Sequence, residues 1–221
     1  MAGGRRYKFQ GSTVSVLTGY DAESPSPAIS AITKANPAVV TTGTHNLVDG
    51  DVVQITGVVG MTEVNNNSYI VNVTSSTQFE LVDIDSTGYG TYTSGGHIDK
   101  GLFSNFCELT GYNRTGGTKP EIDATTICSV DFREYELGLG DLGTAQLDFN
   151  FAPETAIQSA LRSFDSSGDI TAVRIVLPKG GGQRTVLGFV QQTSERAAVN
   201  GMWTGSMTLK LTGAPFDVAA A

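Results

Sequence analysis

Catalysis by side chains needs a nucleophile, a tunable base or a metal cage, and this sequence supplies little of any. Its only histidines are His45 and His97, each beside a Gly- or Asn-rich stretch where a turn role suits the residue better than proton transfer. Asp83 and Asp85 have the spacing of a calcium-loop fragment, but the glycine and distal glutamate of such a loop are missing. Glu121 and Asp123 stand two apart, which on a strand puts both carboxylates on one face, as a glycosidase would want; a solvated strand face has the same pattern. Gly180-Gly181-Gly182 lacks the Lys-Ser/Thr pair and helix start of a phosphate cradle, and no G-x-S-x-G or H-E-x-x-H occurs. Sequons at Asn66, Asn72 and Asn113 read as exposed loop asparagines. Cys107 and Cys128 are too few for a disulfide framework and are not spaced as a metal site, so two buried free thiols are expected. The sequence thus predicts no catalytic residue, no metal and no cofactor.

Charge narrows the partners. The net charge of −8 argues against general nucleic-acid affinity, because a DNA binder needs cations to replace counterions along the phosphates. The acidity is concentrated: residues 30–98 hold only Lys34 against Asp49, Asp51, Glu63, Glu80, Asp83 and Asp85, a balance of −5. No apolar run of bilayer-spanning length occurs, and the start MAGGRRYKFQGSTV has no apolar secretory stretch, so assembly in a cytoplasm without a membrane partner is expected.

The elements that must carry these residues are mostly strands. Glycine accounts for 27 of 221 residues and charged residues for 16%, a composition of strands and turns rather than of disorder. The proline-broken SPSP stretch Ser24–Pro27 and the Gly-rich break Ser94-Gly95-Gly96 bracket residues 30–98 as a small inserted all-β module. Within it, β-branched runs at 38–42, 51–55, 69–73 and 79–84 alternate with turns such as Asp49-Gly50 and Asn65-Asn66-Asn67. Residues 1–29 and 99–221 form the main β domain.

Period-two alternation is clearest at 144–151, where Ala145, Leu147, Phe149 and Phe151 oppose Thr144, Gln146, Asp148 and Asn150. It recurs at 203–212, where Trp203, Met207, Leu209 and Leu211 oppose Thr204, Ser206, Thr208, Lys210 and Thr212. One helix is predicted over 153–165, with Pro153 in its first turn, a shared face of Ile157, Ala160, Leu161 and Phe164, and an end at Ser167-Gly168. Strands at 172–177 and 185–191 are joined by a flexible Gly-rich loop. The predicted fold class is mainly β, a β-sandwich or half-barrel packed by one helix.

Two resemblances add to this reading. Asp123-Ala124-Thr125-Thr126, Arg133-Glu134-Tyr135 running into Leu139-Gly140-Asp141-Leu142-Gly143, and the closing Lys210-Leu211-Thr212-Gly213-Ala214-Pro215 lie in order around the helix. Over about 7–20 and 101–217 the chain thereby resembles the tail-tube (major tail) proteins of long-tailed bacteriophages. Residues 30–98, through Thr44–Asp51, Gly60–Asn65 and Tyr89–Gly96, resemble the small β module first described in ubiquitin-activating enzymes, with His45-Asn46 where that pattern has His-Gly.

The tail-tube resemblance implies a virion structural protein and no enzyme. Half-barrels would join into a closed β-barrel in a hexameric ring, and stacked rings would form the channel that delivers genome DNA. The implied partners are further copies of this chain, other tail proteins at the tube ends, and the tape measure protein and DNA passing through the lumen. If Ala145, Leu147, Phe149, Leu209 and Leu211 face the core, Gln146, Asp148, Asn150, Thr208 and Lys210 face the channel. Extending this to strands at 105–111 and 120–126 adds Glu108, Thr110, Glu121 and Asp123, a DNA-repelling lining of four acids and one lysine. The −5 module is expected on the tube's outer surface. Arg5, Arg6 and Lys8 of the N-terminal arm, with Lys179 and Arg184 of the loop, are expected to bridge subunits or rings. A capsid decoration or carbohydrate-binding virion module is the alternative.

Overall fold

Alternation of apolar and polar residues, rather than long apolar runs, makes antiparallel strands with one buried face. The computed structural model describes residues 6–21 and 27–220. In chain order it contains β1 (Thr13–Asp21), β2 (Ile29–Ile32), β3 (Ala38–Thr42), β4 (Val52–Val59), β5 (Asn67–Ser75), β6 (Gln78–Leu81), β7 (Ser94–Asn105) and β8 (Leu109–Gly116). There follow β9 (Glu121–Asp123), β10 (Tyr135–Leu137), β11 (Gly143–Asn150), α1 (Ala156–Ser167), β12 (Thr171–Val176), β13 (Gln183–Arg196) and β14 (Thr204–Val218). Twelve strands form one open sheet in the order β2-β3-β6-β5-β4-β7-β1-β12-β13-β14-β11-β8, and β9 and β10 form a separate ribbon. The protein is mainly β with one helix, and the sheet does not close within the subunit.

That sheet folds over on itself. Val14 and Val16 of β1 and Val173 and Ile175 of β12 share one apolar cluster with Ala145, Leu147 and Phe149 of β11 and Met207, Leu209 and Leu211 of β14. Strands far apart in the sheet order therefore meet across a common core. Irregularities in the β13–β14 register, two extra residues on β14 between Thr185 and Leu187 and one on β13 between Val190 and Gln192, are the places where the strands can bend. Ile157 and Leu161 of α1 close this concave core. The helix starts later than predicted: Pro153 and Glu154 lie in the turn before it, Thr155 is the N-cap with its side chain accepting from the Gln158 N–H, and Gly168 ends it at φ 73°.

Residues 29–98 have a core of their own around Val40, Ile55, Met61, Phe79 and Leu81. They are joined to the rest by more than two linkers. β7 pairs with β4 through Lys100 and then with β1 through Asn105, so one strand runs out of the module into the main domain. The predicted break at Ser94-Gly95-Gly96 is the start of this strand: Gly95 pairs with Val58, and glycine is needed because Gly95 and Gly96 have φ of 74° and 89°. The other predicted boundary, Ser24 to Pro27, falls outside the described residues except for Pro27.

A third cluster spans both parts, with Val52 and Ile70 of the module against Leu17, Ala172 and Leu187. Beside it the buried Asp51 carboxylate lies 2.9 Å from Arg174 Nη2 and 2.7 Å from Lys100 Nζ and accepts from the Val48 N–H. Arg174 also sits 4.0 Å over the Phe103 ring. The Gly50 carbonyl accepts from both Arg174 and Thr185, a close approach that only glycine permits: at φ 80°, a Cβ would lie 2.8 Å from Gln183 Nε2.

Candidate functional site

The residues with the clearest common placement form the outer face of the sheet opposite the helix-covered core. On β11 and β14 the buried Ala145, Leu147, Met207 and Leu209 alternate with half-buried Gln146, Asp148, Asn150, Thr208 and Lys210. Register brings the polar set side by side, with Gln146 opposite Thr208, Asp148 opposite Ser206 and Asn150 opposite Thr204. The neighbouring strands extend the face: Asn113 and Thr115 of β8 pair with Gln146 and Thr144, and Gln192, Ser194 and Arg196 of β13 pair with Thr208, Ser206 and Thr204. Ser194 and Ser206 hydroxyls are 2.8 Å apart.

The acids expected with this face are dispersed. The predicted strand over 105–111 is broken, because β7 ends at Asn105 and a turn at Cys107-Glu108 precedes β8, so Glu108 sits in a turn. Thr110 lies in β8 and donates to the Asp148 carbonyl. Glu121 and Asp123 are on the separate ribbon, not on the sheet. Of the four acids only Asp148 belongs to the polar face, where Gln146 donates to it at 2.8 Å. Lys210 is paired with Asp141, whose carboxyl is held below the usual range first by that hydrogen bond. With Arg196 added, the face is close to neutral and is made of hydroxyls and amides.

Four strands, β13-β14-β11-β8, carry this face, and both outer edges are free. Among the described residues no strand lies beyond β8. β12 pairs with β13 only as far as Gly188, which among the described residues leaves the β13 edge unpaired from Phe189 to Arg196. Each neighbour is antiparallel to the next, so the two free edges run in opposite directions. Unpaired edges of this length are templates for pairing with another chain.

The segment 117–142 leaves the sheet between β8 and β11 as an arm. β9 and β10 pair through Asp123 and Tyr135, the Ala124 N–H donates to the Glu134 carbonyl and the Asp141 N–H to the Thr118 carbonyl; by strand rise the paired part from Thr118 to Ala124 spans about 20 Å. The arm exposes Ile127 (104%), Val130 (91%), Phe132 (86%) and Leu139 (96%). A two-stranded ribbon alone is marginal in water, and an exposed apolar display of this kind is unusual for an isolated subunit. Cys128 is at its tip and Cys107 in the β7–β8 turn, both exposed, contrary to the expected burial; neither lies where a strand face could take it into the core.

Of the basic residues expected to bridge copies, Arg5 lies outside the described residues, while Arg6 and Lys8 are exposed ahead of β1. The Gly-rich loop is a compact hairpin turn, with Leu177 N–H donating to the Gly182 carbonyl and Lys179 at φ 59°. Arg184 belongs to β13 and makes a two-pronged pair with Asp217 of β14, which holds the Asp217 carboxyl below its usual range. The N-terminal segment and this hairpin flank a groove of about 550 Å³ lined by Tyr7, Phe9, Tyr112, Leu177 and Val218.

His97 lies within β7, where Thr56 hydrogen-bonds its ring, rather than in a turn, and His45 Nδ1 accepts from the Leu47 N–H. Among the described residues no cluster of His, Cys, Asp and Glu could hold a metal, and no helix is long and apolar enough to cross a membrane.

Residues 35–100 match the family model of the ubiquitin-activating enzyme E1 FCCH domain, in line with the resemblance read from 30–98. No curated protein matches the chain. Similar solved structures include the SPP1 tail tube, at 12% identity over 53% of this chain and 69% of that one, with a TM-score of 0.41. Another is a chain of the anti-feeding prophage baseplate, at 8% identity over 81% of this chain and 99% of that one, also at 0.41. Likeness at this level carries no argument by itself.

Proposed function

We propose that the chain is a structural subunit of a phage tail tube, in which the four strands β13-β14-β11-β8 of successive copies join edge to edge around a channel. The observation that carries this reading is the four-stranded sheet itself, with a packed face, a near-neutral polar face and two free edges of opposite direction. An even number of antiparallel strands lets β8 of one copy meet β13 of the next antiparallel, and the ring closes with no edge left. The motif resemblance supplies the number six. Six copies give a wall of 24 strands; at about 4.8 Å between strands and a tilt near 40°, its backbone diameter is roughly 50 Å, wide enough for a water-filled lumen.

On this reading Gln146, Asp148, Asn150 and Thr208 face the lumen. DNA slides past because no array of free cations is there to release its counterions. The module packs on the outward side of the sheet's other half, over β12 and β13, so it faces away from the axis. Negative-stain microscopy and sedimentation of the purified chain test the reading. Rings or tubes whose abundance rises with concentration are expected; a monodisperse subunit at every concentration refutes it.

A further inference from the structure

We infer that the apolar tip of the 117–142 arm docks in the Tyr7–Phe9 groove of a second copy. This rests on the reading that copies assemble, and it names which surfaces meet. The groove has an apolar lining, a volume of about 550 Å³, and a buried Tyr112 hydroxyl without a partner among the described residues. A volume in that range admits a drug-sized apolar group, so one or two large side chains fit it. The subunit's own arm does not fill it, since Ile127, Val130 and Phe132 are almost wholly exposed.

Charge selects the same pairing. The arm carries Glu121, Asp123, Asp131, Glu134, Glu136 and Asp141 against Lys119 and Arg133. The segments flanking the groove carry Arg6, Lys8, Lys179 and Arg184 against Asp217. An acidic, apolar-tipped arm and a basic-rimmed apolar groove on one chain are complementary, and they are different patches. Repeated in one direction, this contact joins each copy to the next, whereas a reciprocal exchange of arms would stop at a two-fold dimer; the ring-forming reading takes the first.

The test uses the full chain with Cys107→Ser, the native Cys128 on the arm tip, and Phe9→Cys at the groove; a second version carries Lys8→Cys in place of Phe9→Cys, so that the aromatic ring is kept. A short bis-maleimide is added to assembled protein, and linked peptides are mapped. A ladder of covalent multimers joined between position 128 and position 9 or 8 is expected, with none when the second thiol is Val59→Cys on the module. Assembled particles that give only 128–128 dimers, or an equal ladder from Val59→Cys, overturn the docking and leave the assembly reading standing. A chain that stays monomeric in sedimentation overturns both.

Discussion

Replacing Asp51 tests how firmly the module is joined to the main domain. Its side chain is 3% exposed and holds Arg174 and Lys100, which are 18% and 37% exposed. Asp51→Ala leaves two cations facing a site that has lost its carboxylate, and removing one partner of a buried ion pair costs about 3–5 kcal/mol. The lower end applies here. Lys100 can turn to water, and Arg174 keeps the Gly50 carbonyl and the Phe103 ring. For a chain of this size about 3 kcal/mol lowers Tm by roughly 6–12 °C.

Because Leu17, Val52, Ile70, Ala172 and Leu187 pack in one cluster across the junction, heat should unfold the module and the main domain together. Calorimetry of the dilute subunit should show one transition in both proteins, displaced by that amount in the variant. A shift under about 2 °C refutes the assigned role of the Asp51 site. Two separated transitions in the unsubstituted chain refute the joint unfolding.

Three further outcomes are expected. Deleting residues 30–98 with a short Gly-Ser link should give aggregated or poorly folded protein, read by solubility and circular dichroism, because Leu17, Ala172 and Leu187 lose Val52 and Ile70; a soluble, assembling deletion would show the junction to be dispensable. Asp217 is held below the usual carboxylate range by Arg184, so its stabilising effect is complete above about pH 4 and is lost as pH falls through the lower folded value. The denaturant midpoint of Asp217→Asn should accordingly lag the parent above about pH 4, and the gap should narrow as pH falls below that; a gap that does not narrow would contradict the assignment. Asp148→Lys with Thr208→Lys should leave assembly intact but make tubes retain DNA with a steep salt dependence; intact tubes with salt-independent retention, or none, would remove these residues from the lining.

Much of this architecture is legible in the sequence where one strand face is buried. Period-two alternation located β11 and β14 because Ala145, Leu147, Met207 and Leu209 fill a core while their neighbours stay wet. The second half of β13 was not legible: Gln192–Arg196 has no apolar alternate and is held only by its ladder to β14, so its residues look like a loop. The break at Glu108 failed for a related reason, since the turn depends on Phe106 entering the core and not on any turn motif. The exposed arm was readable as a motif but not as an arm. Residues such as Ile127 and Phe132 suggest burial, and only the subunit's fold shows them exposed.

One continuous sheet can serve two opposite surfaces because it folds around its core. Arg174 and Thr185 point from its convex side into the module, and Gln146, Asp148 and Thr208 lie on the same covalent side farther along the ladder. Bending between these halves sends one outward and the other toward the proposed axis. The near-neutrality of the inner half then has a physical rationale that a strongly acidic lining would lack. Six copies of several unpaired carboxylates around one ring would repel one another at every ring closure, whereas passage of DNA requires only that cations be scarce or already paired. Lys210 meets that condition by its pair with Asp141, a residue at the root of the arm. A variant that breaks this pair by Asp141→Asn would therefore free a cation at the proposed lumen, and it alters the arm's root at the same time.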